Sequence, residues 1–215
     1  MTLSVMISKM SEGLGRTCSI FALTLLFSLP LGLLIAFLRM SKIKVVRWLT
    51  SVYISVLRGT PLMLQLLVVC YGPFYLFGLR VARNKLIPII IAFSLNYAAY
   101  LAEIYRGGIM SISAGQYEAA AVLGYGRVQT FMRIILPQVV KRILPAVTNE
   151  VITLVKDTSL AFTLAYQEMF SIGKSISNSQ SSFMPFVIAG VFYYVFNSLV
   201  AFVMSLIEKR LDYYR

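Results

Sequence analysis

Glu118-Ala119-Ala120, Gly124 and Ile134-Ile135-Leu136-Pro137 lie in a polar, glycine-bearing interruption of a chain that otherwise reads as apolar from end to end. Around them, about forty residues contain no run long enough to cross a bilayer. A membrane protein seldom holds such a stretch outside hydrocarbon unless something docks there. The interruption therefore marks the point where another protein pushes on this one.

Composition sets the class. The 215 residues are 59% hydrophobic and 13% charged, with a mean hydropathy of +0.80. That is more apolar surface than a soluble domain of this size covers, so hydrocarbon must cover the excess. Cys18 and Cys70 both sit in apolar segments, which suggests neither a disulfide framework nor a thiolate metal site. The chain has no histidine. This removes the commonest general base and metal ligand and argues against a hydrolytic or metal-dependent intramembrane enzyme. A net charge of +12 would suit nucleic acid, but the basic residues cluster at the ends of apolar runs, where they encode membrane topology. No nucleic-acid partner is expected.

Five spans are expected, over residues 17–38, 49–79, 86–105, 146–167 and 184–207, which makes residues 1–215 one all-α transmembrane domain. The first apolar run is too long for the core of a signal peptide, and Arg39 and Met40 follow it where a small-residue cleavage site would stand. The second run exceeds one span and contains Gly59, Pro61, Gly72 and Pro73, so a bent or broken helix is expected. Arg39, Lys42, Lys44, Arg47, Arg106, Arg127, Arg133, Lys141, Arg142, Lys209, Arg210 and Arg215 fall on one side. Only Lys9, Arg16, Arg80, Arg83, Lys85 and Lys174 fall on the other. The richer side is expected to be cytoplasmic, with the N-terminus outside and the C-terminus inside.

Arg58, Glu103, Lys156 and Asp157 fall within these spans. Unpaired, four such charges would cost on the order of 10 kcal/mol, so they face one another, the protein interior or a wet cavity. Asn96, Tyr100, Glu103 and Gly107 follow helical spacing down one face of the third span. Lys156 and Asp157 diverge by about 100° and do not naturally neutralise each other, so at least one should look to another helix. Two readings stay open: structural salt bridges, or side chains along a substrate path.

The nearest approach to a nucleotide-binding loop is Gly173-Lys174-Ser175, but Glu168 stands where the first glycine is needed and no strand precedes it. The chain cannot power itself with ATP. An odd number of spans also excludes an inverted repeat within one monomer, so partners are implied.

The string EAA, three residues, Gly, nine residues, Ile, one residue, Leu-Pro matches the signature of ABC importer permeases. Glu118, Ala119, Ala120, Gly124, Ile134, Leu136 and Pro137 fill its slots. Three further runs resemble the polar amino acid permease branch of that family: Arg58-Gly59-Thr60-Pro61, the segment from Asn96 to Ile109, and the segment from Asn149-Glu150 through Lys156-Asp157-Thr158-Ser159-Leu160. The similarity covers residues from about 17 to 210. The resemblance implies a type I importer in the bacterial plasma membrane. A second permease copy or a sister chain completes the pathway, a cytoplasmic ATPase dimer carries ATP and Mg, and an extracytoplasmic binding protein delivers a small polar amino acid. No cofactor is expected on this chain.

The coupling segment is expected over about 115–137, as a short amphipathic helix from Glu118 to about Thr130 with Ala119, Val122 and Leu123 on one side. Its small residues permit close approach to the ATPase, Gly124 lets the backbone turn, and Pro137 ends or reorients the next segment. For the substrate path, resemblance and the polar stripe point first to Glu103 and Asp157, then to Asn96, Tyr100, Thr60 and Lys156, with Arg58, Met63 and Gln65 nearby. Glu103 or Asp157 would receive an ammonium group, and Arg58 or Lys156 a carboxylate. The serine-rich loop 168–183 should face outside, towards a binding protein. The tail from Glu208 to Arg215, with two tyrosines, fits a helix end at the headgroup level. An ion-coupled carrier or channel subunit is the rival reading, and a non-transporting scaffold a third. Basic, acidic, amide and cystine-type substrates all stay open.

Overall fold

Small residues decide how the longest helix packs. The structure, a computed structural model, describes residues 2–211, so the end of the tail expected at the headgroup level falls outside the described residues. Helix α1 (Leu3–Arg39) runs for 37 residues and buries Gly13, Thr17, Thr24, Ser28, Gly32 and Ala36 along a single seam. The seam lets α1 lie close along α4 (Leu86–Met110), its most extensive contact. A methyl group on Gly32 would stand 2.8 Å from the Leu101 Cβ and 3.3 Å from the Ala98 carbonyl oxygen, so the closest part of that crossing requires glycine. The helix begins well before the expected residue 17. Its first turns dock Met6 and Met10 against Met169, Ile176 and Ala189.

The apolar run over 49–79 is two helices, α2 (Lys44–Gly59) and α3 (Leu62–Phe77), meeting at 112°. Only Thr60 and Pro61 lie between them; Gly72 and Pro73, also expected to bend the run, stay inside α3. Helix α4 is the centre of the bundle. Its Ile89, Phe93 and Tyr97 join Ile20 of α1, and Leu66 and Cys70 of α3, in the main core.

After α4 come two short helices, α5 (Ala114–Val122) and α6 (Arg127–Thr130), a π turn over Phe131–Ile135, and α7 (Leu136–Asp157). The expected helix from Glu118 to Thr130 is therefore broken: it starts earlier and stops before Gly124. Pro137 sits at the start of α7 rather than at an ending. A proline nitrogen cannot donate, and the wider π turn just before it relieves the lost bond. The helix over the region of the fourth expected span thus begins at Leu136, before the expected residue 146, and it runs into a 3-10 turn over Thr158–Leu164. The expected loop 168–183 is largely helical, as α8 (Met169–Gln180). The last helix, α9 (Met184–Leu211), buries only Pro185 and Ala189.

By length and apolarity alone, three of the described helices can cross a bilayer: α1, α4 and α9, with the bent pair α2–α3 a possible fourth. Helix α7 does not qualify on that measure because Lys141, Arg142, Glu150, Lys156 and Asp157 interrupt it. Among the described residues there is no strand.

Candidate functional site: a helix break, a polar face and an elbow

The break between α2 and α3 is held by side-chain amides. The last carbonyls of α2 have no helical partners, and Pro61 has no N–H to offer. In their place the Gln65 Nε2 donates to the Leu57 carbonyl at 2.9 Å, the Thr60 carbonyl at 3.1 Å and the Thr60 Oγ1 at 2.8 Å. Asn96, on α4, donates to the same Leu57 carbonyl at 3.0 Å and to the Gln65 Oε1 at 2.9 Å. The Thr60 hydroxyl closes the set by donating to the Val56 carbonyl at 2.8 Å. Backbone exposed by a break in an apolar setting must be satisfied internally, and this network does it. The expected ligands Asn96 and Thr60 are therefore brought together, through Gln65, as the pegs of the break. Gln65 is the hub of this network, although nothing in its sequence position sets it apart from other residues near the bend.

Along the same face of α4, the Arg58 guanidinium lies over the Tyr100 ring at 5.1 Å. Asp157 accepts a hydrogen bond at 2.7 Å from the buried Tyr97 hydroxyl, a partner on another helix as its position required. Lys156 and Met63 are exposed. Glu103 is not with Asp157. It accepts from Arg106 at 2.6 and 3.0 Å and faces Arg39 of α1 at 3.7 Å. Two arginines thus already neutralise the carboxylate first expected to meet an ammonium group. Arg58 and Lys156, by contrast, have no carboxylate within ion-pair distance among the described residues.

At the other end of α4 the EAA stretch resolves into a defined geometry. Tyr125 N–H donates to the Ala120 carbonyl and Gly124 N–H to the Ala121 carbonyl, both at 3.0 Å, and Gly124 has φ +78°. These are the paired bonds of a Schellman cap, which needs a left-handed residue one place beyond the helix end. The three residues between Ala120 and Gly124 place that glycine correctly. Ala120 is the one buried residue of α5, while Glu118 and Ala119 are exposed. Beyond the cap, Val122, Leu123 and Val128 are 88%, 73% and 77% exposed, an apolar tip with nothing over it. The elbow is tied inward. Ile112, Ile135 and Val139 form a cluster supported by Ile134, and the Gln138 Nε2 donates to the Gln116 Oε1 at 3.3 Å. Arg142 donates to the Ser111 carbonyl and, at 3.0 Å, to its hydroxyl. Leu136 is half-buried and Pro137 exposed.

A buried carboxylate that sequence reasoning missed caps α8. Glu168 is fully buried and accepts from Phe170 N–H at 2.7 Å, Ser171 N–H at 2.6 Å and the Tyr193 hydroxyl of α9 at 3.0 Å. Burial outweighs these bonds and pushes its pKa from 4.5 up to about 6. The native state therefore binds the proton more tightly than the unfolded chain, so this corner is most stable below pH 4.5 and loses stability as pH rises to 6. A shift of this size corresponds to about 2 kcal/mol. Relative to Glu168→Gln, the unfolding temperature of the unmodified chain is expected to fall as pH rises through that window. Parallel pH profiles for the two chains would show that Glu168 does not titrate there.

Residues 28–213 match the family described as binding-protein-dependent transport system inner membrane component. The L-cystine transport system permease protein TcyB of Bacillus subtilis (strain 168) is 38% identical over 208 residues, covering 95% of this chain and 87% of that one. The octopine transport system permease protein OccM of Rhizobium radiobacter is 40% identical, covering 85% and 79%. The arginine transport system permease protein ArtQ of Bacillus subtilis (strain 168) is 34% identical, covering 93% and 91%. Among solved structures, a chain of an amino acid ABC transporter, crystallised with histidines, superposes with a TM-score of 0.85 at 32% identity, covering 94% of each chain. The inward-facing MetNI methionine transporter gives a TM-score of 0.75 at 19% identity, which speaks for the fold alone.

The chain belongs to the binding-protein-dependent transport system inner membrane components, the transmembrane permease subunits of ABC importers. It is a transport subunit, and in this family ATP is hydrolysed by a separate partner.

Proposed function

We propose that this chain forms the pathway for a polar amino acid in a type I importer, with α5 as the coupling helix that receives the stroke of a cytoplasmic ATPase dimer. The elbow is the observation that carries this reading. Its apolar tip of Val122, Leu123 and Val128 stands free, while its base is bonded to the ends of α4 and α7, the two helices that hold the polar face. A push on the tip would be passed to both helices as one rigid displacement. The fourth of five spans is then α7 with its 3-10 end. Its charges are tolerated because they face the pathway or a partner rather than lipid. The N-terminus lies outside, and α8 lies on the side that meets an extracytoplasmic binding protein. A second copy or a sister chain completes the pathway.

The relatives carry cystine, octopine and arginine by name, which supports a polar amino acid as cargo. Within that class, Arg58 or Lys156 would receive a carboxylate, with the Arg58 guanidinium over the Tyr100 ring. Asp157, and Glu103 only if its arginines release it, would serve the ammonium end. The test is to co-purify the complex with its ATPase and binding protein and screen amino acids for stimulation of ATP hydrolysis. Polar amino acids are expected to stimulate and apolar ones to have no effect. Stimulation by apolar amino acids alone would overturn the cargo assignment.

A further inference from the structure

Two arginines stand on the side of the membrane where topology does not call for them. The loop over residues 79–85, between α3 and α4, reads Leu-Arg-Val-Ala-Arg-Asn-Lys. In the proposed orientation it faces outside, where cations oppose the charge bias that orients the rest of the chain. Each therefore needs a reason of its own. Lys85 has one inside the fold, lying over the Tyr71 ring at 4.7 Å and donating to the Cys70 Sγ at 3.6 Å. On the same side, Arg16 donates to the Gln167 carbonyl at 3.0 Å, and Lys174 lies over the Phe162 ring at 4.6 Å. Lys9 has Glu12 three residues on along the same face of α1. Arg80 and Arg83 are exposed and make no hydrogen bond, ion pair or ring contact among the described residues. The other acid expected outside the spans on that side, Glu168, is buried and bonded to α8 and α9.

The loop that carries the two arginines is fastened at both ends and in the middle. Gly78 closes α3 at φ +66°, its N–H donating to the Phe74 carbonyl at 2.9 Å. At the other end the Asn84 Oδ1 accepts from Leu86 N–H at 3.0 Å. Between the arginines, Val81 packs against the main core, which also holds Ala161 and Leu164 of the 3-10 turn and Tyr97, the partner of Asp157. The two guanidinium groups thus rise from a fixed backbone attached to the helices that hold the polar face. Such preorganisation lowers the cost of binding. A guanidinium fork matches a carboxylate, and opposite charges across a wet contact raise the rate of encounter and fix its register.

We propose that Arg80 and Arg83 are a docking point for carboxylates on the surface of the extracytoplasmic binding protein. The proposal rests on the reading that this loop lies outside, and it gives the partner's contact surface a sign. Phospholipid headgroups meet the whole rim of the bundle. A carrier that hands over cargo must instead come to the helices of the pathway, where this loop is fastened.

The test is the affinity of the complete permease–ATPase complex, held in nanodiscs, for its cognate binding protein. The Arg80→Gln/Arg83→Gln double variant is expected to bind about ten-fold more weakly at low salt, roughly three-fold for each exposed charge pair. Raising the salt from about 0.05 M to about 0.5 M should remove most of that difference, because the screening length falls to about 4 Å. Unchanged affinity in the variant, or a loss that persists in full at high salt, would overturn the proposal. A loss seen in phosphatidylglycerol nanodiscs but not in phosphatidylcholine ones would also overturn it, by assigning the arginines to lipid headgroups. The side of the loop is read separately, with Ala82→Cys and a membrane-impermeant maleimide on intact cells, over the background of Cys18 and Cys70 in the unmodified chain. Labelling from outside is expected. Labelling only after the membrane is opened would overturn the orientation, and the docking point with it. Labelling from outside with unchanged affinity would remove the docking point alone.

Discussion

Replacing Gly124 by valine is expected to abolish uptake and the stimulation of ATP hydrolysis by loaded binding protein, while the permease still inserts and assembles. Gly124 has φ +78°, and a Cβ built there meets nothing within 4 Å. The cost is therefore conformational rather than steric. A left-handed backbone costs an ordinary residue roughly 1–2 kcal/mol, and more for a β-branched one. Helix α5 is only 9 residues long, too short to hold its own end against that penalty. The cap bonds from Tyr125 to Ala120 and from Gly124 to Ala121 would open, and Val122 and Leu123 would leave the exposed position proposed to meet the ATPase. Gly124→Ala should fall between the two, and Gly124→Asn should be the mildest because asparagine tolerates this region. The check is uptake and ATPase assays on complexes of matched amount. Normal coupling in the valine variant would remove the elbow from the mechanism.

The second large effect is expected at Gln65. Gln65→Leu keeps the side chain's size but removes the donor to Leu57, Thr60 and the Thr60 hydroxyl, and the acceptor for Asn96. Each buried polar group left without a partner costs about 1–3 kcal/mol, so a loss of roughly 3–5 kcal/mol is expected. Asn96→Leu should cost less, since Gln65 still serves Leu57. The double variant should cost clearly less than the sum, as the two amides belong to one network. Thermal unfolding of the purified permease checks this. An unchanged midpoint in Gln65→Leu would mean that the break is held by something else.

These two sites also show what could be read in advance. The spacing from Ala120 to Gly124 is legible as a place where the backbone turns, but apolar spacing alone carries one helix from Glu118 to about Thr130. In fact Gly124 terminates that helix, because a Schellman cap needs a left-handed residue. Pro61 announced the break in the second run, but its 112° angle and its Gln65 hub depend on a partner 31 residues away in sequence, Asn96. Glu103 stands out in the sequence as a charge within an apolar run. Arg106, three residues on, was a visible neutraliser, whereas Arg39 is brought in only by the packing of α1 on α4. Helix α8 was hidden because Ser171, Ser175, Ser177 and Ser179 look like loop. It is fixed by Glu168 at its start and by Met169 and Ile176 packing beneath α1 and α9. The first turns of α1 were missed for a related reason. Ser4, Ser8, Lys9, Ser11 and Glu12 dilute the apolar run that the seam of Met6, Met10 and Gly13 follows.

Under the proposed function, this chain moves its cargo only when an ATPase drives the elbow. The direct measurement is uptake into proteoliposomes, with the permease alone under imposed proton and sodium gradients, and with the cognate ATPase, ATP and loaded binding protein. The expected result is no gradient-driven uptake by the permease alone and ATP-dependent uptake by the complete set. Gradient-driven uptake without the ATPase would contradict it and make the chain a secondary carrier.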